Sequence, residues 1–201
     1  MALTNVATCL QSDGTTERDF INGIATVEVG DKTLFTVLVD RFLGSDNPRI
    51  KLAACELVSN LSLSRSVVDA AEQESGQFLT ACRSLINALV VATEQDELKI
   101  EMQRAVLGFF ANLAAHDVVR ELFEKEAGGK CVSVVVPDAL NSEPAIVHRV
   151  LFLADEILRE DEVNIFDRLD RNKTLAALQK YEGAKSELGA LCSQFTAMLH
   201  N

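Results

Sequence analysis

Tryptophan is absent, tyrosine occurs once, and aromatic residues make up 5% of the 201 positions. A β-sandwich or barrel built on cross-strand aromatic pairs is therefore disfavoured. Only 3 prolines and 10 glycines punctuate the chain, which leaves room for long uninterrupted helices. Basic side chains are scarce as well, since 19 Lys and Arg stand against 30 Asp and Glu and give a net charge of −11 spread over both halves. Neutralising phosphates requires a basic face, so nucleic acid is a poor partner. Apolar runs such as 84–93 and 105–115 stop at ten or eleven residues, against the ~20 that span a bilayer. Membrane insertion is not expected.

Cysteine is present but unpatterned. Cys9, Cys55, Cys82, Cys131 and Cys192 are odd in number and scattered, which fits neither a metal knuckle nor a disulfide framework. They read as reduced, mostly buried thiols. Met1 to Asn5 shows no basic start and no small-residue cleavage site, and Ala2 stands where myristoylation needs glycine. The expectation is a cytoplasmic or nuclear setting.

What the chain has in abundance is leucine and alanine at helical spacing. Ile50, Ala53, Ala54, Leu57, Val58 and Leu61 fall at i, i+3, i+4, i+7, i+8 and i+11, one apolar stripe of an α-helix. Met102, Ala105, Val106, Phe109, Phe110 and Leu113 repeat those steps 52 residues later. Val147, Val150, Leu151, Ala154 and Leu158 repeat them again after 45 more, with Asp155 interrupting. The ends match too: Val58-Ser-Asn-Leu-Ser62 corresponds to Phe110-Ala-Asn-Leu-Ala114, and each unit closes near a glycine, Gly76 or Gly128, suited to a left-handed helix end. A shorter apolar segment precedes each long helix, at 34–43, 85–92 and 132–140, followed by a polar corner. Pro48 and Pro144 sit where a first helical turn needs no amide hydrogen. The β-branched stretch 131–136 would pass for a strand in isolation, and only the surrounding pattern makes it a helix.

These units resemble the armadillo repeat family, whose three-helix repeats of about 42 residues stack into a right-handed superhelix with a concave groove lined by the third helix. The resemblance implies an all-α fold: a right-handed α-solenoid of about three to four repeats with a C-terminal helical cap. Its boundaries are a partial repeat or N-terminal cap at 1–33, repeats at 34–76 and 77–128, a degenerate repeat at 129–172, and the cap at 173–201. Asn5, Asn60 and Asn112 share one place in the pattern, and the resemblance then implies either a chain that begins inside a repeat, as a piece of a longer protein, or a degenerate N-terminal cap.

The inventory for catalysis is thin. His116 lies beside Asp117 at a helix end, where an imidazole can meet terminal carbonyls; His148 and His200 have no ligand partner at metal spacing. Gly128-Gly-Lys130 lacks the first glycine and the following Ser or Thr of a phosphate loop. Asp155, Glu156, Glu160, Asp161 and Glu162 lack calcium-loop spacing and read as a solvated helix end or a docking patch for basic segments. No metal, nucleotide or other cofactor is expected, and the chain is read as non-enzymatic.

Interaction with another protein, a peptide or a helix is the function the resemblance implies, as a scaffold or adaptor using the concave groove. In the nuclear-import adaptors of that family a Trp precedes the repeated Asn by four residues. Here Glu56 and Gly108 hold those places, which speaks against import-signal binding. Taking the long helices in register, Glu56, Asn60, Arg104, Asn112 and Arg149 make a mixed-charge floor for a partner, with Ile157 falling in line with the two asparagines. The asparagines serve either to hold a peptide backbone or to pin neighbouring repeats. Regulation of a small GTPase with a polybasic tail, as a dissociation stimulator or exchange factor, is an alternative, as is chaperone co-factor work. An enzyme whose site the sequence hides is a further one.

Overall fold

The corner Asn47-Pro48 shows how the chain makes its helices. Asn47 keeps an extended backbone and its Oδ1 accepts from the amides of Arg49 and Ile50 at 3.0 and 3.4 Å, while Pro48 occupies the first turn. Ser64 and Asp170 cap later helices in the same way. The computed structural model describes residues 28–29, 32–95, 98–160, 170–181, 183 and 186–200. Asn5 and Cys9, most of the segment 1–33 read as a partial repeat or cap, and Asp161 and Glu162 of the acidic group lie outside the described residues, as do the side chains of Leu158, Glu160 and His200.

Among the described residues the chain is helical except for one small ladder. Residues Glu28–Val29 (β1) pair antiparallel with Lys32–Thr33 (β2). An entirely sheet-free fold was the sequence expectation, and this two-residue ladder is the one departure. The helices follow: α1 (Leu34–Val37), continued by a π-helical turn at Leu38–Phe42, α2 (Pro48–Leu61), α3 (Arg65–Glu72), α4 (Gly76–Gln95), α5 (Lys99–Asn112) and α6 (Asp117–Lys125). After a 3-10 turn at Glu126–Gly129 and a π-helical turn at Cys131–Val135 come α7 (Val136–Ala139), α8 (Pro144–Glu160), α9 (Arg171–Leu178) and α10 (Glu187–His200). The β-branched stretch is thus helical, and the C-terminal segment forms two helices broken around Gly183, whose φ is +80°.

The glycine expectation holds at one closure and fails at the other. Gly128 is left-handed, with φ +68°, and its neighbours Ala127 and Gly129 are as well. At the earlier closure Glu74 takes the left-handed turn at φ 49°, and Gly76 opens α4. That helix therefore begins nine residues before the expected apolar segment and reaches Gln95. His116 likewise stands just before α6, and its side chain makes no capping hydrogen bond.

The long helices α2, α5, α8 and α10 lie side by side in that order. They run parallel, because contacts advance together along both partners: Ser59 meets Gly108 and Ser62 meets Asn112, while His148 meets Glu187 and Asp155 meets Gln194. The remaining helices return the chain behind this row and close the core. Leu57, Leu61, Phe109, Phe110 and Leu113, all expected inside, are buried. Phe78, Phe109, Phe110 and Phe123 form a chain of rings with centroids 5.3–6.1 Å apart, tying α4, α5 and α6 through tilted and edge contacts. Cys55, Cys82, Cys131 and Cys192 are buried free thiols, and burial pushes the first three up to about 12. They are inert as nucleophiles. Among the described residues no helix is long and apolar enough to cross a membrane.

Candidate functional site

The row of parallel helices offers one shared face, and the five candidate residues sit along it. On α2 the apolar stripe turns Leu57 and Leu61 inward, so Glu56 and Asn60, one residue earlier in each case, stand half-buried at its margin. On α5 the same geometry leaves Arg104 and Asn112 exposed while Phe109 and Leu113 are buried. On α8 Arg149 is half-buried beside buried Val150.

Arg149 is the residue that ties the face together. Its Nη1 donates to the main-chain carbonyl of Arg104. Its guanidinium crosses Gly108: a Cβ at that glycine would meet the Arg149 Cζ at 3.5 Å and the Ser59 Oγ at 3.1 Å. A Cβ here would be tight against the Ser59 hydroxyl and in ordinary contact with Arg149, so α2, the Arg149 side chain and α5 meet closely at this point. Burial pulls the Arg149 guanidinium below its usual range, Arg104 adds to the effect, and Glu143 opposes it.

Arg104 is bound sideways. Its Nε and Nη2 both reach Glu143 Oε1, at 2.9 and 2.8 Å, closing α5 onto the first residues of the α8 corner. With both groups half-exposed, this pair is worth at most about 1 kcal/mol, and its main effect is to orient the guanidinium. Glu56 is left the poorer for it. Its carboxyl is raised above the ordinary range by burial, with Arg104 lowering it and Glu101 raising it further. The face therefore carries mixed charge, with Glu56 on α2, Glu101 and Arg104 on α5, Glu143 at the corner before α8 and Arg149 on α8.

The two asparagines differ in what surrounds them. Asn112 donates through Nδ2 to Ser62 Oγ at 2.9 Å, and Ser62 in turn donates to the Ser59 carbonyl at 2.5 Å. This links the ends of α5 and α2 across the seam, the pinning role considered for it, while its side chain remains exposed. Asn60 also has a partner within the chain. Ile157, placed by register beside these asparagines, is only 2% exposed and belongs to the core. The position therefore does not contribute to the face.

Glu101, Glu143, Ser59 and Ser62 complete the arrangement and were not among the sequence candidates. A signal was present for two of them: Glu143 directly precedes Pro144 in the corner, and Ser62 stands 50 positions from Asn112, close to the repeat interval. The acidic group around Asp155 is partly internal. Asp155 is buried and accepts from Gln194 of α10 at 2.8 Å. No cluster of three or more His, Cys, Asp or Glu side chains suited to a metal occurs among the described residues. No protein-family model, curated protein or solved structure matches this chain.

Proposed function

We propose that the chain is an α-solenoid of armadillo-like units acting as a non-enzymatic scaffold, and that a segment of another protein docks on the face shared by α2, α5 and α8. The observation that carries this reading is the charged floor itself. Three successive parallel helices contribute Glu56, Arg104 and Arg149 to one surface, and Gly108 keeps its middle low enough for a side chain to lie across it. The armadillo reading is supported by the recurrence of the long-helix stripe at 52 and 45 residues and by the parallel side-by-side row.

A partner segment, extended or helical, fits this floor when it brings a basic residue to Glu56 and Glu101 and acceptors to Arg104 and Arg149. Glu56 has lost part of its water and forms no ion pair with Arg104, which is engaged by Glu143. A cation arriving there restores what burial removed. The net charge of −11 steers basic segments toward the surface in a salt-sensitive way.

Photocrosslinking tests the reading. A benzophenone side chain placed at Asn112 or Ala53 is expected to capture a partner from cell extract, and Arg104→Glu is expected to abolish that capture. Labels at Ser66 on α3 and Glu121 on α6 serve as controls. Equal capture from α3 and α6, or capture indifferent to Arg104→Glu, would place the interaction elsewhere and defeat the proposal.

A further inference from the structure

The open side of α8 is a single stripe. Ala145, His148, Arg149, Phe152 and Glu156 stand at i, i+3, i+4, i+7 and i+11, and the residues between them are buried. Two members of this stripe are left incomplete by the chain itself. Arg149 spends one N–H on the carbonyl of Arg104, and no carboxylate among the described residues pairs with it. Glu143 holds Arg104 at 2.8 Å, and Glu187 faces His148 Nε2 at 3.5 Å. None of the Arg149 nitrogens is buried without a partner, so those not on the carbonyl remain open to solvent. Phe152 is 38% exposed, the one aromatic among the exposed large apolar side chains of the described residues. The contacts of His148 with Glu187 and of Asp155 with Gln194 both span 39 positions, so Leu191 of α10 stands level with Phe152. Leu191 is half-buried against the core, and the seam between α8 and α10 thus carries two partly exposed apolar side chains at one level.

We propose, resting on the reading that a segment of another protein docks across this face, that the segment is extended and carries an acidic residue for Arg149 and, beside it, a large apolar side chain for the seam of Phe152 and Leu191. The guanidinium fork matches a carboxylate, and an apolar group laid over the neighbouring ring keeps water from the pair. Burial and the nearby Arg104 both weigh against the charge of Arg149, a cost that an arriving carboxylate offsets. The layout of the helices also sets the spacing. Packed helices lie about 8–10 Å apart and an extended chain advances about 3.3 Å per residue. A basic residue on Glu56 of α2 and an acidic one on Arg149 of α8, two helices along, are then about five or six positions apart, with the apolar residue about one to three positions beyond the acid. A segment of both signs also escapes the repulsion that the net charge of −11 imposes on a purely acidic one.

A phage-displayed library of random peptides is the probe, panned on the full chain and on its variants. Peptides enriched on the parent and lost on Arg104→Glu are expected to carry Asp or Glu about five or six positions from a Lys or Arg, with Leu, Ile, Phe or Trp about one to three positions beyond the acid. On Arg149→Glu the acid preference should turn to Lys or Arg, a swap that damage to the fold could not produce. On Phe152→Asn the apolar preference should disappear while the acid is kept, with circular dichroism confirming the fold of both variants. For one enriched peptide made synthetically, changing its acid to the amide should weaken binding to the parent at least about tenfold, the loss of a charge-assisted pair, and should not weaken binding to Arg149→Glu. Face-dependent peptides without the acid, an acid preference that survives Arg149→Glu, or an apolar preference that survives Phe152→Asn would each overturn this inference and leave the docking face standing. Absence of enrichment, or enriched peptides all indifferent to Arg104→Glu, would defeat the docking face and this inference with it.

Discussion

The helices α2 and α5 carry the same six-position stripe, yet they live in different surroundings. Met102 on α5 is 2% exposed and Val147 on α8 is fully buried, whereas Ile50, the matching residue of α2, is 40% exposed. Ala105 and Val150 are buried, while the matching Ala53 is only half so. The inner half of the stripe behaves alike on all three: Ala54, Val106 and Leu151 are buried, as are Leu57, Phe109 and Ala154. A repeated stripe therefore has two parts. One faces the helices behind the row and is buried wherever the unit occurs. The other faces the preceding long helix, which α2 supplies for α5 and α5 for α8; among the described residues no long helix precedes α2. For residues of this second kind, burial belongs to the pair of units and cannot be read from either one alone.

The largest expected effect falls on the shared part. Phe109→Ala removes the ring that contacts both Phe78 and Phe110 and should cost about 3–5 kcal/mol in urea unfolding. A loss under about 1 kcal/mol would mean that the ring chain is not packed. Next comes the contrast between matching positions: Met102→Ala should cost about 2–5 kcal/mol, and Ile50→Ala less than about 1 kcal/mol because little of its surface is withdrawn from water. Equal costs would erase the distinction between the two helices.

How much of this was legible in the sequence follows from the same division. The period-3.6 stripe and the polar corners gave the long helices and most of the core, because those features depend on a helix and its own backing. The tie from Asn112 to Ser62 was not legible, since spacing places both residues at helix ends without saying that the two ends meet. Glu74 rather than Gly76 took the left-handed turn at one closure, because a capping geometry can be met by a non-glycine residue where packing demands it. Register alone sets Ile157 in line with the two asparagines, yet its side chain is buried in the core. Of the five candidate residues, the sequence located the helices and the outward side, while the role of Glu143 as the partner that takes Arg104 away from Glu56 required the fold.

Smaller effects sharpen the account of the seam between α2 and α5. Asn112→Ala should destabilise by about 1 kcal/mol through loss of the bond to Ser62. A cycle with Ser62→Ala should show coupling between the two, and additive losses would mean that the bond contributes nothing. The smallest effect is expected at Glu56. Its carboxyl is raised in the folded chain by burial, so deprotonation opposes folding: this contribution is present at low pH and is lost as pH rises through the carboxylate range. Glu56→Gln should accordingly raise the melting temperature slightly at pH 7, and the gain should vanish below about pH 4, where the native carboxyl is protonated as well. A variant less stable than the parent at pH 7 would show that Arg104 outweighs burial there.

Amide hydrogen exchange resolved along the three long helices tests the central claim most directly. If burial of the outer stripe is a property of neighbouring units, protection should be greatest in α5 and high in α8, with α2 opening more readily on the side of Ile50 and Ala53. Equal protection in α2 and α5 across matching positions would contradict it, and would mean that each helix draws its stability from its own unit alone.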